Sequence, residues 1–460
     1  MSDSKEIKEY DFDEYIPEKD RHYDFKSLTV TWLNANANTS SWYVGSIIGA
    51  LGFSGAVIAS LIANPLSYVL LAFIGFMGYK VSTTSMGLAR IPFGINGSKL
   101  PSFLNAFQYV GWCGVNTYMA AVALSHLAHN MFGFPVMGEK GSVGYSLMYI
   151  VILTVVMTIL VIKGGSKSIK IAENIAIIGI VALTLWITYV VVTSFSMHDI
   201  INWRPSASES ISFGSAIDSI AALAMAWVVA GADYSRYAKN KIVSTVAPFI
   251  GANVGMLWLS IVGAISAIAL AITNGVYNPD TADPASVCSV LGLGNIAQIM
   301  IIISVIAVNL LNIYSGGFCA LNVSEKISPK ISMGMITVGA AFLAIVPLIS
   351  GSFMSAFQIF LGYLGAVFPP CIAIMIVDYY LIRKGQYKHN ELTKKGGSYW
   401  YVKGFNIKAI ASWLIGSVVY FVLGRIPMIS GTIGCVFGCL IFSGALYWVL
   451  TKAGLDKEAV

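Results

Sequence analysis

Twelve apolar stretches, each long enough to cross a bilayer as a helix, decide what this chain can fold into. They run over about residues 28–53, 54–80, 101–130, 143–163, 168–196, 212–232, 243–273, 293–322, 331–350, 353–383, 405–424 and 428–450. In hydrocarbon a backbone must satisfy its own hydrogen bonds, so a helical bundle is the available fold. Composition agrees: 57% of the residues are hydrophobic and only 11% charged, against roughly 25% charged in soluble domains. The net charge of +6 is therefore read as membrane topology and not as affinity for nucleic acid.

The basic residues test the count of spans. With the N-terminus in the cytoplasm and the spans alternating, 25 of the 28 Lys and Arg residues fall on the inner side, and only Lys140, Arg204 and Arg425 fall outside. This satisfies the positive-inside rule at every loop. One missed span would invert all later loops, so an even number with both termini cytoplasmic is expected. The first 27 residues are polar and acidic and read as a cytosolic tail, partly disordered, with no cleavable signal. The expected organisation is that tail (1–27), a ten-helix core (28–383), a cytosolic loop (384–404), two peripheral helices (405–450) and a C-terminal tail (451–460).

Two spans carry sequences unsuited to a continuous lipid-facing helix. The first contains Asn34, Asn36 and Asn38 followed by Thr39, Ser40 and Ser41; asparagine is a weak helix former. The sixth ends early in Gly231-Ala232-Asp233. Interrupted helices at equivalent positions of two five-span halves point to a transporter's central site. Two ordinary helices with polar patches are the alternative. Pro369-Pro370 in span ten is a candidate bend.

Span three adds a stripe. Asn105, Gln108, Trp112 and Asn116 are spaced by three, four and four and share one helical face. Amides in hydrocarbon cost several kcal/mol each without partners, on the order of values for unsatisfied amides. They must face other helices, a cavity or a ligand. Span eight contributes Asn309 and Asn312, also on one face. An amide both donates and accepts and can read the edge of a heterocycle, while an indole offers a stacking face. With Trp112 and Trp227 supplying faces, this inventory suits a neutral planar ring. It suits an organic anion less well, because no mid-membrane Lys or Arg accompanies it.

Carboxylates in or near the membrane are few. Asp218 has no basic neighbour in sequence and is a proton-carrier candidate; Asp233, with Arg236 three residues on, and Asp378 have structural readings as well. The six cysteines show neither a paired-loop nor a metal-ligand pattern and read as packing residues. His126 and His129 make a weak metal pair, and no metal or cofactor is expected. No nucleophile motif or carboxylate pair supports an enzyme.

Taken in order, Trp32-x-x-Ala35-Asn36, Arg90-x-x-Phe93-Gly94, Ser98-x-Leu100-Pro101, Gly111-Trp112 with Asn116, Trp227 with Asp233-Tyr234-Ser235-Arg236-Tyr237, and Asn309-x-x-Asn312-x-Tyr314-Ser315 resemble the nucleobase:cation symporter-1 family, purine–cytosine permease group. The resemblance implies an all-α fold of twelve transmembrane helices. Ten of these form a five-plus-five inverted repeat with discontinuous helices one and six, and two extra helices follow at the C-terminus. It implies a plasma-membrane symporter that imports a nucleobase (cytosine, a purine or a related planar heterocycle) with a cation by alternating access; a vitamin-precursor pyrimidine, hydantoin or allantoin transporter on the same fold is the alternative, and a channel or membrane enzyme a more remote one. In that family's pattern Trp112 and Trp227 flank the base and Asn116 bonds it. Asn36, Asn309, Asn312 and Gln108 are further binding candidates. Tyr109 stands where cytosine permeases carry a binding glutamine. Asn38, Ser304, Asp218 and Asp233 are the cation or proton candidates. Ala307 and Val308 replace hydroxyls of sodium-coupled relatives, which favours protons over sodium. A nucleobase and the lipid bilayer are the expected partners, nucleic acid is not, and a monomer is the expected unit.

Overall fold

Span one begins with a capping box: Asp24 accepts from Ser27 N–H and Ser27 answers to the Asp24 backbone. Helix α1 (Phe25–Asn36) then runs to the asparagine cluster and stops, and α2 (Thr39–Ile48) restarts two residues later. The chain continues through α3 (Phe53–Val81), α4 (Ser85–Phe93), α5 (Lys99–Phe132), α6 (Val143–Ser194) and α7 (Met197–Asn202). A second broken span follows as α8 (Phe213–Val228) and α9 (Gly231–Ser235), then α10 (Lys241–Asn274) and the short α11 (Pro284–Val290). The remainder is α12 (Gly294–Val323), α13 (Pro329–Ser350), α14 (Phe353–Val377), α15 (Ile407–Gly424), α16 (Pro427–Ser430) and α17 (Val436–Lys452).

This computed structural model describes residues 14–323 and 327–453, with the side chains of 162–177, 180, 318, 321, 322 and 329 left out. Residues 1–13 and 454–460 of the expected tails, Lys326, and the side chains of Lys163, Lys167 and Lys170 lie outside the described residues. Among the described residues there is no strand, only isolated bridges at Tyr23–Ala238 and Val402–Phe405.

Seven segments are long and apolar enough to cross a membrane on their own: α3, the first part of α6, α10, α12, α13, α14 and α15. The last part of α6, α8 and α17 are shorter apolar helices. The long α5, its apolarity diluted by the amide stripe, and the broken α1–α2 pair complete twelve crossings. Helix α6 supplies two of them. Met157 meets Asn309 and Gly179 meets Ser304, both on α12. A straight helix would hold positions 157 and 179 about 33 Å apart, too far to reach neighbouring turns of one helix.

The pairing of helices is that of an inverted repeat of five. Helices α1 and α2 pack on α10, span seven; α8 and α9 pack on α3, span two; and α5 packs on α12, span three on span eight. The last two spans, α15 and α17, pack on each other and on α14, outside this arrangement. Small residues let the backbones approach. A Cβ at Gly251 would overlap the Thr29 carbonyl, one at Gly255 the Leu33 carbonyl and one at Gly263 the Trp42 carbonyl. One face of α10 therefore holds both halves of span one across its break. Helix α14 continues through Pro369 and Pro370, so the bend expected there does not interrupt it; it ends in a π-turn at Asp378–Ile382.

The described part of the expected N-terminal tail and the 384–404 loop both pack on the bundle. Ile16 is fully buried with its N–H on Ser82 Oγ, and Tyr23 pairs by backbone with Tyr237 and Lys239. Ile16 and Tyr23 are thus docked on the bundle. The 384–404 loop lies over α4: Tyr401 donates to the Ile91 carbonyl and Asn96 to that of Lys403, and just beyond the loop Asn406 donates to Pro92 O. Asp378, fully enclosed, anchors this region through the hydroxyls of Tyr387 and Tyr447 and the Arg383 guanidinium.

Asp218, expected as a proton-carrier candidate, is a helix cap. Its carboxylate accepts from Cys435 N at 2.7 Å and Val436 N at 2.8 Å, tying α8 to the start of α17. Ser212 and Gly214 bond the same turn through Ser430 O and Gly431 O. Asp218→Ala is therefore expected to lower the thermal midpoint of the detergent-purified protein by on the order of 2 °C, from loss of the cap. The substrate KM should not move. A loss of ion coupling in Asp218→Asn without any change in stability would return the residue to the proton path.

Candidate substrate site

The two helix breaks create the site. At the first, the Asn38 side chain caps α2 by accepting from Ser41 N (3.1 Å) and donates to Ala35 O (2.6 Å). Ser41 Oγ donates to Asn36 O at 2.6 Å. Asn36 is spent on the break: its amide donates to Trp32 O, and its carbonyl oxygen accepts from the Tyr68 hydroxyl. At the second break, α8 ends at Val228 and α9 starts at Gly231. Asp233 there accepts from Ser85 N (2.8 Å), and Ser85 Oγ accepts from Ala232 N (3.0 Å). Asp233, the other proton-carrier candidate, thus fastens the broken span six to α4.

Between the breaks lies a cavity lined by Asn38, Ser40, Trp112, Asn116, Leu223, Trp227, Val308 and Asn312, with about 260 Å³ of empty space including its opening. That space includes open volume at the mouth, so the lining and not the volume characterises the site. None of these side chains is charged. Trp112 is held edge-on by Phe360 (5.0 Å between centroids) and Phe357 (6.3 Å) from α14. Trp227 is packed edge-on against Trp32 at 6.4 Å.

The amides divide into readers and holders. Asn309 is fully buried, and its amide donates to Cys113 O and Thr117 Oγ1, both at 3.1 Å. Its carbonyl oxygen accepts from Asn116 Nδ2 at 3.0 Å. One N–H of Asn116 is thus committed, which leaves its carbonyl oxygen and second N–H for the cavity. Asn309 acts through Asn116 and does not line the cavity. Asn312 and Ser40 do line it, and among the described residues no hydrogen bond ties down either side chain.

The remaining sequence candidates sit elsewhere. Gln108 is buried below the cavity, donating to Asn105 Oδ1 (2.6 Å) and Ala226 O (3.4 Å). Tyr109 is buried, with its hydroxyl near Ser315. Ser304 is buried with its hydroxyl unpartnered, facing Gly179 of α6. No group of three or more metal-ligating side chains exists among the described residues. Sequence reasoning missed Ser40, Leu223 and Val308. The last two lie one helical turn before Trp227 and Asn312, which is the signal that could have found them.

Residues 15–449 match the profile of a family described as permeases for cytosine/purines, uracil, thiamine and allantoin. A putative purine-cytosine permease of Bacillus subtilis is 27% identical over 97% of this chain and 96% of its own length. The cytosine permease of Escherichia coli is 26% identical over 94% of each chain. Among solved structures, the nucleobase-cation-symport-1 family transporter Mhp1, closed with bromovinylhydantoin bound, aligns with a TM-score of 0.75 at 19% identity over 97% of both chains. That likeness establishes the fold: a multi-pass helical bundle with a five-plus-five inverted repeat and two further helices.

Proposed function

The chain belongs to the family of permeases for cytosine/purines, uracil, thiamine and allantoin, and from that membership we propose that it is a secondary-active importer of a nucleobase or a closely related planar heterocycle, driven by a cation. One observation carries this reading: an uncharged cavity at the breaks of two helices, with two indoles, the half-committed amide of Asn116 and the amide of Asn312 facing it. Trp112 and Trp227 cover the faces of the ring, and Asn116 and Asn312 read its edge, with Ser40 as a further donor. Asn309 sets the orientation of Asn116. Tyr109, turned to Ser315, supplies no amide to the ring, so purines and other heterocycles rank before cytosine.

The coupling ion is proposed to be a proton. A sodium site needs several oxygen ligands, and Ala307 and Val308 offer no side-chain oxygen. Asn38 Nδ2 already occupies the Ala35 carbonyl at the break. The side with the termini is assigned to the cytosol, in line with its basic loops, and the membrane to the cell surface.

Uptake competition in cells expressing the chain tests this. Purines or pyrimidines should compete for uptake and amino acids should not. Replacing sodium should leave uptake unchanged, and a protonophore should remove it. If no base competes, the substrate class is wrong; if uptake needs sodium and survives the protonophore, the proton assignment is wrong.

A further inference from the structure

The segment between α10 and α12, residues 275–293, is docked on the side away from the termini. The Tyr277 hydroxyl donates to Ser46 O. The Trp42 indole N–H and the Ser46 hydroxyl both donate to Ala282 O, at 2.9 and 3.1 Å. The Asp280 carboxylate accepts from Met354 N (2.8 Å) and Ser352 Oγ (2.9 Å), at the head of α14. Gln298 of α12 donates to Ala285 O at 2.9 Å. The segment therefore joins α2, the second half of broken span one, to span ten. From that head, Phe353, Phe357 and Phe360 descend to Trp112 at the cavity. The segment is thus connected, contact by contact, to the aromatic wall of the cavity.

In the middle of the segment is Asp283, 4% exposed. It accepts from Ala285 N (2.8 Å) and Ser286 N (3.0 Å). Ser286 Oγ in turn lies 3.4 Å from His126 Nε2 on α5. The other titratable groups facing this pair come from every neighbouring element: His129 and Tyr118 on α5, Glu139 beyond it, Tyr43 on α2, Cys288 on α11 and Asp280 beside it. The nearest end of α12 brings only the amides Asn295 and Gln298. Two carboxylates, Asp283 and Glu139, and two imidazoles, His126 and His129, thus gather where the segment meets span three.

We propose that Asp283 with His126 is a proton-binding site that sets how readily the outer segment docks, and hence how readily the cavity closes to the outside. One proton leaves the pair neutral, either as imidazole and carboxylic acid or as an ion pair. Removing it leaves the buried Asp283 carboxylate charged beside a neutral imidazole, so docking becomes harder. Burial raises the proton affinity of Asp283 above that of a free aspartate. A group whose pKa is raised in the docked form stabilises docking at acid pH and ceases to do so as pH climbs through the raised value. Acid outside favours closure; alkali favours opening. The word "outside" rests on the orientation proposed above, but the site itself does not.

Hydrogen exchange of the detergent-purified full-length protein, corrected for the intrinsic pH dependence of exchange, tests it at residues 277–290. Protection in the wild type should be highest at acid pH. It should fall as pH rises from the ordinary aspartate range, near 3.8, to the raised value, by up to about tenfold per pH unit. Asp283→Asn keeps an N-capping oxygen but cannot titrate, and should hold its protection constant and high. His126→Gln should move the wild-type midpoint. Wild-type protection without pH dependence, or an Asp283→Asn protein that keeps the wild-type profile, overturns the site. Constant low protection in Asp283→Asn also overturns it, by making the residue a structural cap only. Exchange is read without any substrate, so its failure is separate from failure of the uptake competition.

Discussion

Trp112→Ala is expected to weaken binding of the transported base by about one to two orders of magnitude. Stacking of a base on an aromatic face contributes about 1–3 kcal/mol, and each 1.4 kcal/mol is roughly tenfold in affinity. The Trp112 ring is positioned for this by Phe357 and Phe360, and it forms part of the cavity wall. Trp112→Phe keeps a face and should lose less. Asn116→Ala should cost a further hydrogen bond to the ring and strand the Asn309 carbonyl, its partner at 3.0 Å. Because the two asparagines share that bond, Asn116→Ala and Asn309→Ala should be strongly non-additive in a double-mutant cycle. The measurement is equilibrium binding or uptake KM across the bases identified by competition. If Trp112→Ala leaves every one of them unchanged, the site is misplaced.

Gly263→Leu is expected to abolish recovery of folded protein. Any side chain at 263 drives into the Trp42 carbonyl, and backbone cannot move aside as a flexible side chain can. Overpacking ordinarily costs about 1–3 kcal/mol. Here the obstruction lies at the start of α2, just beyond the break, so relief would shift the cap that Asn38 makes and the wall that Ser40 forms. Gly263→Ala, one carbon larger, should fold with a lowered thermal midpoint. Gly334→Ala serves as the control, since nothing lies within 4 Å of a Cβ there. Size-exclusion profiles and thermal unfolding in detergent would read the series. A Leu variant that elutes and unfolds like wild type would show that α2 and α10 do not touch at this point.

Much of this was legible in the chain. Apolar runs of bilayer length and the one-sided distribution of Lys and Arg give twelve spans, because both follow from transfer free energies that each residue carries on its own. The break in span one was readable because Asn34-x-Asn36-x-Asn38 disfavours helix locally; that in span six falls at Val229-Ala230, and the Gly231-Ala232-Asp233 expected to end the span opens α9 instead. Trp112, Asn116, Trp227 and Asn312, all candidates from the sequence, line one cavity.

The tertiary structure decided which polar groups are free. Asn36, Asn309 and Asn312 are the same residue type in similar apolar surroundings, yet Tyr68 and Trp32 consume the first and Cys113, Thr117 and Asn116 consume the second. Asp218 had no charged partner in sequence because its partners are backbone N–H groups 217 and 218 residues away. An amide or carboxylate declares its chemistry in the sequence. Whether its hydrogen bonds are already spent depends on which distant backbone and side-chain groups the packing of helices brings within about 3 Å of it, and only the folded chain sets that.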